Sequence, residues 1–183
     1  MRSFFNLKAS LAVAALLALP LAQAANISKD EYASGKARVG AEYKTAKAAC
    51  DSLAGNAKDI CQEEAKAKYK VALADMKYSY TGKLSDRTSA LETKAETDYA
   101  VAKEKCDDKA GNDKSVCVKE AKAIEVKAKA DARTNEKVGD AKADATAEKH
   151  DADYDVAAQK CDVLAGDAKT SCISAAKAKF GKN

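Results

Sequence analysis

The sequence predicts an all-α protein, an elongated array of three antiparallel helical hairpins, each closed by a local disulfide. Three observations carry this prediction. A twelve-residue unit bounded by cysteines occurs at residues 50–61 (CDSLAGNAKDIC), 106–117 (CDDKAGNDKSVC) and 161–172 (CDVLAGDAKTSC). Helix formers dominate the composition: 42 of the 183 residues are alanine, 33% are charged, and the one proline is Pro20. Between the cysteine units, apolar residues recur at three- and four-residue steps, the spacing of one helix face. Alanine, lysine and glutamate favour helix over strand. With no tryptophan and three phenylalanines, the helices must be thin and closely approached rather than gathered on a thick core.

The N-terminus reads as an export signal. Arg2 and Lys8 precede an apolar run at residues 11–21, and Ala22-Gln23-Ala24 fits small-x-small cleavage after Ala24. The run is too short for a comfortable membrane span, so no stable span is expected after cleavage. No cysteine follows the cleavage site to take a lipid. The remaining 159 residues (25–183) lose Arg2 and Lys8, which takes the formal charge from +4 to +2. That balance offers no basic field for nucleic acid. Six cysteines behind a signal peptide imply an oxidising compartment.

First cysteines at 50, 106 and 161 give repeats of 56 and 55 residues. The implied units are 25–80, 81–137 and 138–183. In the first, Tyr32, Val39, Tyr43, Ala46, Cys50 and Leu53 form an apolar stripe. Gly55 supplies a left-handed residue at the bend, and Asn56 is expected to cap the next helix, with Asp59 on its first turn. Cys61, Ala65, Tyr69, Ala72 and Met76 then mark one face of the return helix. The antiparallel geometry sets Tyr43 across from Tyr69 and Tyr154 across from Phe180. Ile124 or Glu125 takes that place in the middle unit. Two connectors remain. Residues 78–83 (YSYTGK) read as a loop with Ser85 as a cap. Residues 133–140 (RTNEKVGD) either break at Gly139 or run through as helix.

The cysteines admit two chemistries. Zinc sites take short spacings with histidine or further cysteines, and redox motifs take C-x-x-C. Ten intervening residues and a single histidine, His150, favour local disulfides Cys50–Cys61, Cys106–Cys117 and Cys161–Cys172. Asp107, Asp108, Asn112 and Asp113 resemble part of a calcium loop, but its twelfth position would be Val118 or Lys119 rather than glutamate. No metal, cofactor or catalytic residue is therefore expected. Asp51, Asp107 and Asp162 recur beside a helix C-terminus, where the macrodipole disfavours them. Lys58, Lys114 and Lys169 recur seven residues later, which predicts an Asp–Lys pair across each turn.

The signal segment together with the pattern KxxCDxLAGNAKDxCxxEAKA, at residues 47–67 and with drift at 103–123 and 159–179, resembles a family of small exported proteins of Gram-negative bacteria. Most members have no assigned activity, and some are labelled TolA-like cell-envelope biogenesis proteins. With TolA itself the chain shares only the Ala/Lys/Glu-rich stalk composition. The resemblance implies the periplasm as compartment and carries no known activity. The repeated, stapled scaffold without site chemistry points to a non-enzymatic structural or interaction protein of the envelope, with a link to stress, whose partner is an envelope protein or polymer. The alternative is a thiol- or metal-handling periplasmic protein that acts through its cysteine pairs. Oligomeric state is left open.

Overall fold

The computed structural model describes residues 26–182, so the expected signal peptide and its cleavage point lie outside the described residues. Five helices account for nearly all of them: α1 (Lys29–Ala49), α2 (Gly55–Thr81), α3 (Leu84–Cys106), α4 (Gly111–Lys160) and α5 (Gly166–Phe180). Short 3-10 turns at Cys50–Ser52 and Cys161–Val163 finish α1 and α4. Among the described residues there is no strand.

Among the described residues each helix packs on its neighbours in sequence and on no other, giving a meander rather than a bundle. The first two stapled turns lie side by side, because the Asn56 amide donates to the Glu104 carbonyl at 3.0 Å and to Asp108 Oδ1 at 2.7 Å. The α2–α3 connection, Gly82-Lys83, lies at the opposite end. Beyond that end α4 continues alone. Its 50 residues span about 75 Å at 1.5 Å per residue, and its far half carries the third hairpin.

Local chemistry explains most of the element boundaries. Ser28 and Glu31 form a reciprocal capping box at the start of α1. The Ser28 backbone N–H, and then its hydroxyl, hold the Glu31 carboxyl below its ordinary range. Tyr32, Val39, Tyr43, Ala46 and Cys50 face α2, with Val39 buried. Tyr43 stacks on Tyr69 with ring centroids 4.8 Å apart. Leu53 lies past the helix end and is exposed. The core is accordingly a row of alanines, including Ala65, Ala90, Ala95, Ala121 and Ala132, punctuated by Cys50, Cys106 and Cys161, which are the largest fully buried side chains.

Three sequence expectations are corrected and one open choice is resolved. Residues 78–81 are helical, leaving a connector of two residues; Tyr80 stacks on Tyr32 at 4.8 Å, and this aromatic contact outweighs the β preference of the segment. Ser85 does not cap α3. Lys83 holds the N-cap position without a side-chain bond, and Asp86 organises the turn instead. The 133–140 segment is continuous helix, so the boundary expected between residues 137 and 138 falls inside α4 and the last two hairpins share it. The absence of a Cβ at Gly139 matters there, because one would lie 2.8 Å from Leu84 Cδ1. Of the two residues expected at the matching place in the middle unit, Glu125 fills it, buried at 4%, and Ile124 is 67% exposed.

Candidate functional site: the stapled turns

The three turns follow one course, with a 3-10 turn in the first and third and a plain turn after Cys106 in the middle one. After Cys50 the chain leaves α1 through a 3-10 turn, then passes extended through Leu53 (φ −97°) and Ala54 (φ −133°). Gly55 takes φ +57°, and Gly111 and Gly166 match it at +54° and +57°. A side chain would be strained in that left-handed backbone. The expected left-handed glycine thus starts the second helix rather than ending the first. The turn brings Cys50 to Cys61, Cys106 to Cys117 and Cys161 to Cys172 with Cα separations of 5.7, 5.8 and 5.7 Å, inside the range a disulfide requires. Every one of the six cysteines is bonded in this way.

The structure also brings together each Asp and Lys of the repeat. Lys58 Nζ lies 3.0 Å from Asp51 Oδ1, Lys114 Nζ 3.0 Å from Asp107 Oδ1, and Lys169 Nζ 2.9 Å from Asp162 Oδ1. Each aspartate sits at the negative end of one helix and each lysine at the positive start of the next. Either alone would oppose the macrodipole; together they neutralise one another across the bend.

The expected cap at Asn56 is corrected. Ala54 is the N-cap residue and makes no side-chain bond. The Asn56 side chain reaches across to the neighbouring hairpin, as described above, and so ties turn to turn. A local capping rule could not anticipate a partner 52 residues away.

Two carboxylate clusters were missed by sequence reasoning. Asp86, in the first turn of α3, receives Lys77 Nζ at 2.6 Å and the Thr81 hydroxyl at 2.7 Å. Lys77 and then Thr81 hold its carboxyl below the ordinary range. Its place in the first turn of a helix was the available signal. Glu125 receives Lys122 at 2.6 Å and Lys129 at 3.0 Å, and Lys129 also reaches Glu96 of α3 at 2.7 Å. These hydrogen bonds, Lys122 foremost, lower the Glu125 carboxyl. Arg133 and Glu92 (2.6 Å) extend the ladder. The position that holds an aromatic residue in the outer hairpins, Tyr69 and Phe180, thus holds a paired carboxylate in the middle one.

The remaining candidates fall into place simply. His150 is exposed and lies edge-on to Phe180, 6.4 Å between centroids, and Tyr154 meets the same ring at 6.5 Å. Asp108 pairs with Asn56 and Asp107 with Lys114. Among the described residues, no group of three or more His, Cys, Asp or Glu is arranged to hold a metal ion. Among the same residues no helix is long and apolar enough to cross a membrane. Comparison with protein-family models, with curated proteins and with solved structures gave no match.

Proposed function

We propose that this is a non-enzymatic structural or interaction protein of the periplasm, working at the cell envelope by presenting long, charged helix surfaces on a disulfide-stapled frame. One observation carries the reading: in all three turns the reactive residue types serve the bend itself. The cysteines are spent on staples, and each recurring aspartate is spent on its lysine. The disulfides fit an oxidising compartment, and the signal-like N-terminus and the family resemblance agree with it. Envelope proteins or polymers are the partners in this reading.

Thiol titration of protein isolated from the periplasm under acid quench tests this reading. It predicts no free thiol. A reduced pair in a constant fraction of the molecules would instead favour the thiol-handling alternative, in which a turn opens and closes in use. A hydrolytic or redox activity of the purified protein, abolished by a single substitution that leaves the fold intact, would overturn the non-enzymatic reading.

A further inference from the structure

Helices α2 and α3 belong to different hairpins, yet they form a seam. Two contacts fix its register: Asn56 to Asp108 at one end and Lys77 to Asp86 at the other. Between these pins that antiparallel register sets Ala67 opposite Thr97, Val71 opposite Thr93 and Ala74 opposite Ala90. None of these residues is exposed.

The repeat places the same seam positions elsewhere. Advanced by the 56 residues that separate the first two cysteine units, Ala67, Val71 and Ala74 become Ala123, Lys127 and Ala130. Advanced by the next 55, Ala90, Thr93 and Thr97 become Ala145, Glu148 and Ala152. All six lie on α4, and all six are exposed. They share one face of that helix with Val116 and Val156, at three- and four-residue spacing. Ala121, Glu125 and Ala132, which pack toward α3, lie on the opposite face. A single helix carries both halves of the seam, so they cannot meet within one chain.

We infer that a second copy of this chain supplies the missing half, through an antiparallel contact between the two α4 helices. The α2–α3 register sets Ala123 of one copy against Ala152 of the other, Ala130 against Ala145, and Lys127 against Glu148. Viewed from the other copy the pairing is the same, so the contact is isologous and closes as a two-fold dimer. The charges agree with this register. Lys127 meets Glu148 twice, and beside the stripe Lys119 comes near Asp155 and Asp131 near Lys142. Val138, 46% exposed in the single chain, meets its own copy near the two-fold axis. The small residues allow the close helix approach that the α2–α3 seam already shows.

Sedimentation velocity on protein purified from the expressed full-length chain, under oxidising conditions, tests the inference. A dimer is expected at micromolar concentration. Lys127→Glu should weaken it at least about tenfold, since like charges then face each other at both symmetric positions. Adding Glu148→Lys to that variant should restore the affinity to within about twofold. Both residues are exposed in the single chain, so circular dichroism should report unchanged helix content in each variant. A single-chain mass at about 100 µM, far above the affinities typical of specific dimers, would overturn the inference. So would a dimer indifferent to Lys127→Glu, or one that the second substitution fails to restore.

Discussion

Helices α1 and α5 occupy equivalent places at the two ends of the described residues. Each packs on a single neighbour and each is tied to it by a disulfide at the turn. They differ at the end away from the staple. There α1 is pinned by the Ile27 N–H to the Ser79 carbonyl at 3.0 Å, by Tyr32 stacked on Tyr80, and by Met76 against Gly35. The 15-residue α5 ends on Phe180, the edge of two rings, and a partly exposed Lys182–Asp151 pair. The same sulfur staple therefore reinforces one helix that is docked along its length and holds another that has little else. The motif specifies a turn, and the packing around it decides how much that turn matters.

The sharpest break of this comparison is to remove each staple in turn. An isolated helix of about 15 residues is marginal in water, and closing a loop of a dozen residues is worth about 2–3 kcal/mol in the chain-entropy model. In Cys161→Ser/Cys172→Ser, α5 should detach. Hydrogen exchange over residues 166–180 should lose most of its protection while α2 and α3 keep theirs. In Cys50→Ser/Cys61→Ser, α1 should stay docked, with a lower melting temperature and a frayed turn. Equal loss of protection in α1 and α5 would refute the ranking.

Acid should divide the molecule the other way. Asp86 and Glu125, both with lowered carboxyls, sit in the α2–α3 and α3–α4 seams. A lowered folded-state pKa stabilises above the unfolded value and is lost as pH falls through the folded one. With unfolded values of 3.8 and 4.5, stability should hold to about pH 5. It should then fall progressively below that, first in residues 84–133. Asp86→Asn with Glu125→Gln should flatten this acid limb in a pH series of urea melts. An unchanged acid limb would remove these two carboxylates from the account.

Much of this was legible in the sequence, for identifiable reasons. The turns were, because a left-handed glycine between two cysteines, at offsets of five and six residues, leaves few geometries open. The Tyr43–Tyr69 and Tyr154–Phe180 contacts follow from that geometry alone. Lateral order was not legible. Alanine-rich faces carry little directional information, so nothing in the local pattern marks α2 as the neighbour of α3. Asn56 and Asp86 obey partners in other helices, and a strong local rule pointed Asn56 to the wrong one. The choice between Ile124 and Glu125 stayed open because hydrophobicity and spacing pointed apart: Cys117, Ala121 and Glu125 follow each other at four-residue steps, and a carboxylate with two lysines satisfies that position.

Two helix-interior glycines give a finer test of how tightly the seams close. Glycine to alanine in a helix gains up to about 1 kcal/mol. At Gly40 in α1 a new Cβ would meet nothing within 4 Å, so Gly40→Ala should raise the melting temperature by nearly the full amount. At Gly139 the Leu84 methyl stands in the way, and Gly139→Ala should gain less than half as much. Equal gains at the two sites would mean that the α3–α4 seam gives way freely where α4 leaves it.

The smallest effect concerns the feature repeated as faithfully as the cysteines. Each Asp–Lys pair across the turn is partly exposed, which limits its worth to about 0–1 kcal/mol. Yet each partner stands at the wrong end of its own helix dipole, so removing one leaves the other opposed by its helix as well as unpaired. Asp51→Ala alone should therefore cost more than an ordinary surface pair, and Asp51→Ala with Lys58→Ala should recover part of the loss. A double-mutant cycle measures this, and zero coupling would end the argument for a pair. The same cycle on Asp162 and Lys169 should show a larger change in hydrogen exchange over α5, because the third turn has the least packing to hide the difference. If instead the first and third turns respond alike, the staple and its ion pair act as a closed local unit, independent of whatever the helices are docked against.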